Sequence, residues 1–245
     1  MTMGGRTALI TGGAGGIGQA IATGFRGAGA RVVVADLDEE RLDRLAHAFP
    51  DVKTVVADVS SAEGVARAVA AAGSVDILSH NVGIGDGGAT VDELDESRWR
   101  AILDVNLTSA FLLTKSVLPS MLAGGRGVVL LMSSVAGLRG GRTGVGYTAT
   151  KWALVGMAQN IAATLGPEGI RAHAICPGVV ATGTTALSTG MPPTARALKR
   201  RGRDTGQPSP AQPEDVAELT VFLASDRARH LNGLAVPVDG GWLAY

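Results

Sequence analysis

The chain holds a single cysteine, Cys176, which excludes an internal disulfide, and its four histidines, His47, His80, His173 and His230, are scattered without metal-ligand spacing. A zinc-dependent dehydrogenase is disfavoured on that ground, and no metal site is predicted. Aromatic residues are scarce at 4%, too few for a base-stacking surface, and 22 basic against 22 acidic residues leave no net charge to attract a polyanion. Nucleic acid is not an expected partner. The first residues show no charged segment followed by a long apolar run, and no later apolar stretch reaches the roughly 18 residues that a membrane span needs. These absences predict a soluble protein of a reducing, cytoplasmic compartment, with no membrane partner.

What is abundant is glycine and small apolar residues. Thirty-five glycines in 245 residues is twice the usual share of about 7%, so many close backbone approaches are expected. A hydrophobic content of 46% over this length is enough for one sizeable core. Short apolar, β-branched runs recur at 7–10, 31–35, 53–57, 75–78, 128–132, 171–175 and 234–238. Segments of helical period and length lie between most of them, at 17–28, 39–49, 62–72, 106–122, 147–165 and 214–223. Strands alternating with helices imply a parallel sheet, and near-continuous apolar strands imply helices on both faces. The predicted fold is α/β, one doubly wound, Rossmann-type domain over 1–245. The stretch 183–213, rich in Gly, Pro, Ser and Thr, breaks the rhythm and reads as a substrate loop or lid.

The first strand runs into Thr11-Gly12-Gly13-Ala14-Gly15-Gly16-Ile17-Gly18, after which a helix begins. Glycines there let the backbone approach a pyrophosphate, and the helix N-terminus supplies donors and positive potential. The run fits both G-x-G-x-x-G, as Gly13, Gly15 and Gly18, and T-G-x-x-x-G-x-G, as Thr11, Gly12, Gly16 and Gly18, so spacing alone leaves the frame open. The second strand ends in Asp36, eighteen positions after Gly18. A carboxylate there can accept from both adenosine ribose hydroxyls and repel a 2'-phosphate, although taken alone Asp36 also suits a helix N-cap. Neither Gly15 nor Leu37 offers a cation for that phosphate, so NAD is favoured over NADP.

The run 128–132 delivers Ser133 and Ser134 at its carboxyl end, where doubly wound sheets bind ligands. Thirteen residues on stands Tyr147, with Lys151 four further along the same helix face. An ammonium within about 4–6 Å lowers a tyrosine from its ordinary value near 10, which would make Tyr147 an acid or base near neutral pH. Tyr-x-x-x-Lys is a weak pattern alone; its place after strand-borne serines gives it weight.

With these residues in place the chain resembles the short-chain dehydrogenase/reductase family, in its branch of about 250 residues, over nearly its whole length. The resemblance settles the frame: Thr11, Gly12, Gly16, Ile17 and Gly18 match the family's cofactor turn. It also aligns Asp36 and Leu37 with the ribose end, Asp58 and Val59 with the adenine contact, and Asn81-Val82-Gly83 with the Asn-Ala-Gly segment. Asn106, Ser134, Tyr147 and Lys151 fall on the catalytic positions, and Pro177, Gly178, Val180 and Thr182 on the segment at the nicotinamide end. The stretch Val238-Asp239-Gly240-Gly241 matches the family's C-terminal signature.

The resemblance implies an NAD-dependent oxidoreductase that interconverts a secondary alcohol and a ketone. Ser134 would bind the carbonyl oxygen, Tyr147 would exchange the proton, Lys151 would hold the nicotinamide ribose and lower the tyrosine, and Asn106 would hold a water. The alternatives are an NADP-linked 3-oxoacyl-type reductase and a catalytically silent NAD-binding regulatory protein. Family counterparts of the helices at 106–122 and 147–165 pack against a second subunit, so a homodimer or homotetramer is expected, with 240–245 as a further subunit contact. His80 and His173 replace frequent asparagines and are expected to be hydrogen-bonding scaffold residues, and 58–81 suggests a trimmed third helix. Cys176 is expected to be a small buried hydrophobe, Trp99 and Trp152 packing groups, and the cluster from Lys199 to Arg203 a solvated face. Arg139 and Arg142 lie nearer the expected cleft. Val145, Leu187 and Met191 suggest a modestly apolar or cyclic carbonyl substrate.

Overall fold

The structure is a computed structural model, and it describes residues 2–182, 194, 206 and 208–244. Seven parallel strands form one sheet in the order β3-β2-β1-β4-β5-β6-β7. They are β1 (Thr7–Thr11), β2 (Arg31–Asp36), β3 (Lys53–Val56), β4 (Ile77–His80), β5 (Gly127–Met132), β6 (Ile170–Pro177) and β7 (Ala235–Val238). Side chains alternate across a strand, so each central strand feeds two cores. Ala8, Ile10, Val32 and Val34 enter one core with Ile21 and Phe25 of helix α1 (Gly16–Gly27), Leu42 and Leu45 of α2 (Glu39–Ala48) and Val216 and Val221 of α7 (Pro213–Ala224). Leu9, Val33, Ala35 and Leu78 enter the other with Val65 of α3 (Ala62–Ala72), Leu113 of α5 (Ser109–Ala123) and Leu154 of α6 (Val145–Leu165). Each fully buried Leu, Ile, Val or Phe contributes about 1.5–3 kcal/mol relative to exposure, so both faces are held by the same kind of burial.

Local chemistry sets the helix starts. Asp38 caps α2 by accepting from the Arg41 amide at 3.0 Å, and Ser61 caps α3 by accepting from Gly64 at 3.0 Å. Gln212 and Asp215 form a reciprocal capping box at α7, with Pro213 in the first turn.

Three differences from the sequence-based elements stand out. Strand β4 runs on to His80 rather than ending at Leu78, because Ser79 and His80 are fully buried and pair in register with Ile10 and Thr11. A helix absent from the prediction, α4 (Glu96–Leu103), precedes α5 and is joined to it by a π-helical turn, Asp104–Thr108. The continuous helix Glu96–Ala123 has 28 residues and a window of mean hydropathy 1.4, so by length and composition it meets the requirement for a membrane span that no simple apolar run met. Ala110, Leu113, Val117 and Met121 on its inner face are nonetheless fully packed in the domain core.

The strand order reverses between β1 and β4, and ligands bind at the carboxyl ends beside such a reversal. The glycine turn, Asn81 and Ser134 all emerge there. Of the predicted lid, Thr194, Gly206 and 208–213 are described, and Ala211 bridges to Val180; Leu187, Met191 and the basic cluster Lys199 to Arg203 lie outside the described residues.

Candidate active site

The glycine turn is shaped by close backbone contact. Gly12 adopts φ +62°, and a Cβ there would lie 3.1 Å from the Val82 amide; a Cβ at Gly18 would lie 2.1 Å from the Gly12 carbonyl oxygen. Gly12, Gly16 and Gly18 are thus all held by close contact, as is Gly13, where a Cβ would lie 2.6 Å from Val34 Cγ1, while Gly15 is the N-cap of α1 and a Cβ there would make only ordinary contact. Thr182 lies against Gly16, at 3.0 Å from where a Cβ would stand, so the segment after β6 closes over the turn. Thr11 is fully buried and its Oγ1 has no hydrogen-bond partner.

Asp36 is not a helix cap, since Asp38 fills that place. Its Oδ2 accepts from the Ala14 amide at 3.0 Å and its Oδ1 from Leu37 and Asp38 at 2.7 and 3.2 Å, which holds the carboxylate at the mouth of the glycine turn. Leu37 beside it is 66% exposed. Asp58 accepts from the Ser60 amide and hydroxyl, and Val59 is buried next to it. Asn81 ties β4 to β1 by donating to the carbonyls of Thr11 and Ser79, which sets Val82 and Gly83 against the turn. Pro177 and Gly178 leave β6 beside β7, where the Gly178 amide donates to Val238. A glycine cradle that a Cβ would fill, an unpartnered buried hydroxyl and a carboxylate at the ribose end together fit a dinucleotide.

Two cations that the sequence did not reveal reach this region. Arg41 and Arg44, from α2, line a cavity of about 480 Å³ together with Ala14, Gly16 and Thr182. Arg41 pairs with Asp38 at 3.0 Å and Arg44 with Glu40 at 3.7 Å.

Ser134 begins a 3-10 turn, Val135–Gly137, whose Ala136 amide donates to its Oγ at 3.1 Å; the hydroxyl donates to the Pro177 carbonyl at 3.5 Å and lies near enough to Tyr147 to bear on the phenol. Lys151, one turn further along α6, is buried, and its Nζ lies 5.2 Å from the Tyr147 ring centroid while donating to the Met132 carbonyl at 2.6 Å. Ser133 anchors the same helix by donating to the Lys151 carbonyl at 2.7 Å. Asn106 sits in the π-turn; its Oδ1 accepts from the Ile84 amide at 2.7 Å and its Nδ2 donates to the Ile84 carbonyl and Thr150 Oγ1. Gly83 leaves a gap between the two groups, since a Cβ there would be 3.4 Å from Lys151 Nζ and 3.5 Å from Asn106 Oδ1. Lys151 therefore stands between Tyr147 and the π-turn that holds Asn106, with Ser134 at the end of the neighbouring strand.

The electrostatics differ from the expectation that Lys151 lowers Tyr147. Burial pushes the phenol up to about 12, a Ser134 hydrogen bond pulls it down, and the Asp86 charge pushes it up again. Burial also brings Lys151 down to about 8, so the ammonium is itself weakened. Tyr147 thus holds its proton at neutral pH and is set up as a donor.

The neighbouring residues divide. His80 is a hydrogen-bonding residue as predicted, its Nε2 lying 2.8 Å from Ser109 Oγ, and burial and the Lys151 charge hold it near 3, hence neutral. His173 is not: both ring nitrogens are buried without a partner among the described residues, and burial and Arg171 bring it to about 4. Its side of β6 faces the apolar core with Ile175, where few acceptors are within reach. Cys176 is buried and its thiol is pushed up to about 11, which suits a small hydrophobe. Arg142 stacks 4.5 Å over Trp242, fixing the C-terminal segment to the loop before α6. Trp99 is half-buried, whereas Trp152 is 49% exposed and packs only in part within this chain.

Comparison with known proteins gives the family. The family model described as enoyl-(acyl carrier protein) reductase matches residues 12–243. The chain is 39% identical to 3beta-hydroxysteroid dehydrogenase 2 of Eggerthella lenta, over 98% of this chain and 96% of that one. It is 36% identical to cis-4-hydroxycyclohexanecarboxylate dehydrogenase of Sinomonas cyclohexanicum, over 98% and 97%. A solved structure of a putative NAD(P) dependent gluconate 5-dehydrogenase from Beutenbergia cavernae, with bound NADP, is 36% identical and superposes with a TM-score of 0.86 over 100% of this chain and 99% of that one. The chain belongs to the short-chain dehydrogenase/reductase family. It is an oxidoreductase of the alcohol dehydrogenase/carbonyl reductase type.

Proposed function

We propose that the protein interconverts a secondary alcohol and a ketone with NAD, and that its substrate is a cyclic, modestly apolar molecule. The observation that carries the chemistry is the approach of Lys151 to Tyr147, its Nζ 5.2 Å from the ring centroid, with Ser134 near enough to bear on the phenol. In the reducing direction Ser134 donates a hydrogen bond to the carbonyl oxygen, and Tyr147 gives that oxygen its proton. A bound nicotinamide supplies the hydride to the carbon. Lys151, pinned by Met132, presents its ammonium to the nicotinamide ribose, and the gap at Gly83 leaves room for a water between Lys151 and Asn106. Gly12, Gly16, Ile17, Gly18, Asp36, Leu37, Asp58, Val59, Asn81 and Val82 serve the adenosine and phosphate end, and Pro177, Gly178, Val180 and Thr182 the nicotinamide end. The cyclic substrate is supported by the names of two relatives, a hydroxysteroid and a hydroxycyclohexanecarboxylate dehydrogenase.

NAD is supported by the Asp36 carboxylate at the ribose end. A second reading, an NADP-linked 3-oxoacyl-type reductase, is favoured by Arg41 and Arg44 beside the glycine turn. Initial rates with NADH and NADPH separate the two: a preference of tenfold or more for NADH supports the first, and the reverse preference the second. A protein that binds NADH yet turns over no carbonyl would instead be a regulatory binder.

The working form is a homodimer or homotetramer in the cytoplasm. Phe111 on α5 and Trp152 on α6 are 52% and 49% exposed, which suits an interface between copies.

A further inference from the structure

The helix that bears Tyr147 begins without a cap of its own. Its N-cap is Gly144, which has no side chain to accept from the first turn, and that turn holds no acidic residue. The missing acceptor arrives from the loop after β4. Asp86 Oδ2 accepts from the Tyr147 amide at 2.9 Å, and Asp86 Oδ1 accepts from the Gly88 amide at 3.0 Å. From the same loop the Ala89 carbonyl accepts from Val145 at 2.9 Å. Asp86 is fully buried. Room for it comes from glycine: a Cβ at Gly144 would lie 2.4 Å from Oδ1, and one at Gly146 3.6 Å from Oδ2. Arg98 of α4 straps the loop by donating through Nε and Nη2 to the Gly85 carbonyl.

We propose that Asp86 is a positioning residue for proton transfer, capping the catalytic helix from the loop after β4 and holding a buried carboxylate against the backbone amide of Tyr147, the residue whose phenol carries the proton. This rests on the reading of Tyr147 as the proton carrier. The groups around the phenol come from four elements. Ser134 follows β5 and bears on it, Lys151 lies one turn along α6, and Asp86 stands before the helix. His80, at the end of β4, and Cys176, on β6, lie behind Lys151, the first held neutral and the second kept as a thiol by burial. Asp86 is thus the carboxylate whose charge bears on the phenol, opposing the pull of Ser134. A negative charge at this place favours the protonated phenol, the form needed to reduce a carbonyl, and delays the phenolate needed to oxidise an alcohol.

The test is Asp86→Asn, which removes the charge and keeps an acceptor for the Tyr147 amide. The pH dependence of kcat/KM for alcohol oxidation should keep its shape while its rising limb moves down by about one pH unit. A uniform loss at every pH with the limb in place is what a purely structural cap would give, and overturns the proposal. A spectroscopic readout is independent of turnover. The chain has two tyrosines, Tyr147 and Tyr245, so in a Tyr245→Phe background the phenolate absorbance reports Tyr147 alone. Its onset should fall by about one pH unit when Asp86→Asn is added, and an unchanged onset overturns the proposal. If the Asn variant does not fold, Asp86→Ser offers a smaller neutral acceptor for the same two measurements. If neither variant folds, Asp86 is a cap that the fold cannot do without and the proposal of a role in proton transfer is overturned. Full activity in Tyr147→Phe would instead remove the proton-carrier reading on which the inference stands, whereas an inactive Tyr147→Phe with an unmoved limb in Asp86→Asn removes the inference alone.

Discussion

The Nζ of Lys151 donates a 2.6 Å hydrogen bond to the main-chain carbonyl of Met132, the last residue of β5. That bond fixes the ammonium to the end of the strand that delivers Ser134, so strand and catalytic helix share one reference point. Lys151→Met keeps the length of the side chain and removes the charge and the donor. The buried Met132 carbonyl would be left without that donor, at about 1–3 kcal/mol of stability. Activity should fall further than stability, by at least about 100-fold in kcat/KM with a folded protein. Thermal unfolding beside steady-state kinetics checks this, and a variant within tenfold of wild type would remove Lys151 from the chemistry.

Two buried histidines make stability depend on pH. Burial is the main cause that holds His80 near 3 and His173 near 4, below the ordinary 6.5, so the folded protein prefers both neutral. Their contribution is complete above about pH 6.5 and is lost as the pH falls towards 4, because the unfolded chain takes up the protons first. His173 alone accounts for about 3 kcal/mol over that window by order of magnitude. Chemical denaturation of His173→Asn beside wild type, at pH 7 and pH 4.5, should show a smaller pH loss in the variant. Equal losses would contradict the assignment.

Asp36 and Arg41 make opposite demands on the cofactor. Asp36→Ala should raise the KM for NADH about tenfold and narrow the gap to NADPH, because the acceptor for the ribose hydroxyls goes with the charge that repels a 2'-phosphate. Arg41→Ala should leave NADH kinetics within a factor of two if NAD is the cofactor. A selective loss of NADPH turnover in Arg41→Ala would favour the NADP-linked reading. Fluorescence titration of both reduced cofactors measures each case.

Phe111 and Trp152 predict assembly. Light scattering at micromolar concentration should give two or four times the chain mass of 24.8 kDa, and Trp152→Glu should lower it by charging the apolar patch. A wild-type protein at the mass of one chain would contradict the interface.

The legible parts of the molecule were those written in local pattern. All seven strands and the glycine turn follow from short, near-continuous apolar runs and from glycines between a strand and a helix, and Lys151 does stand beside the Tyr147 ring. The end of β4 was hidden because Ser79 and His80 are polar yet buried by neighbours that no short window contains. Helix α4 was hidden by its polar face, with Ile102 its one fully buried residue. The π-turn that places Asn106 depends on packing beneath Thr150 and Ile84, not on a composition signal. Arg41 reaches the glycine turn through the direction of a side chain, and Asp86 reaches Tyr147 across 61 residues. The strength of the Tyr147 phenol was misread for a related reason: burial, which the sequence does not display, is the largest influence on it.

The most direct measurement follows oxidation of NADH and NADPH with a panel of cyclic ketones, keto acids, sugars and steroid ketones, with Tyr147→Phe beside wild type. Turnover of a cyclic ketone with NADH, falling by about 100-fold or more in the variant, is the predicted result. Turnover that survives the loss of the Tyr147 hydroxyl, or that requires NADPH, would contradict it.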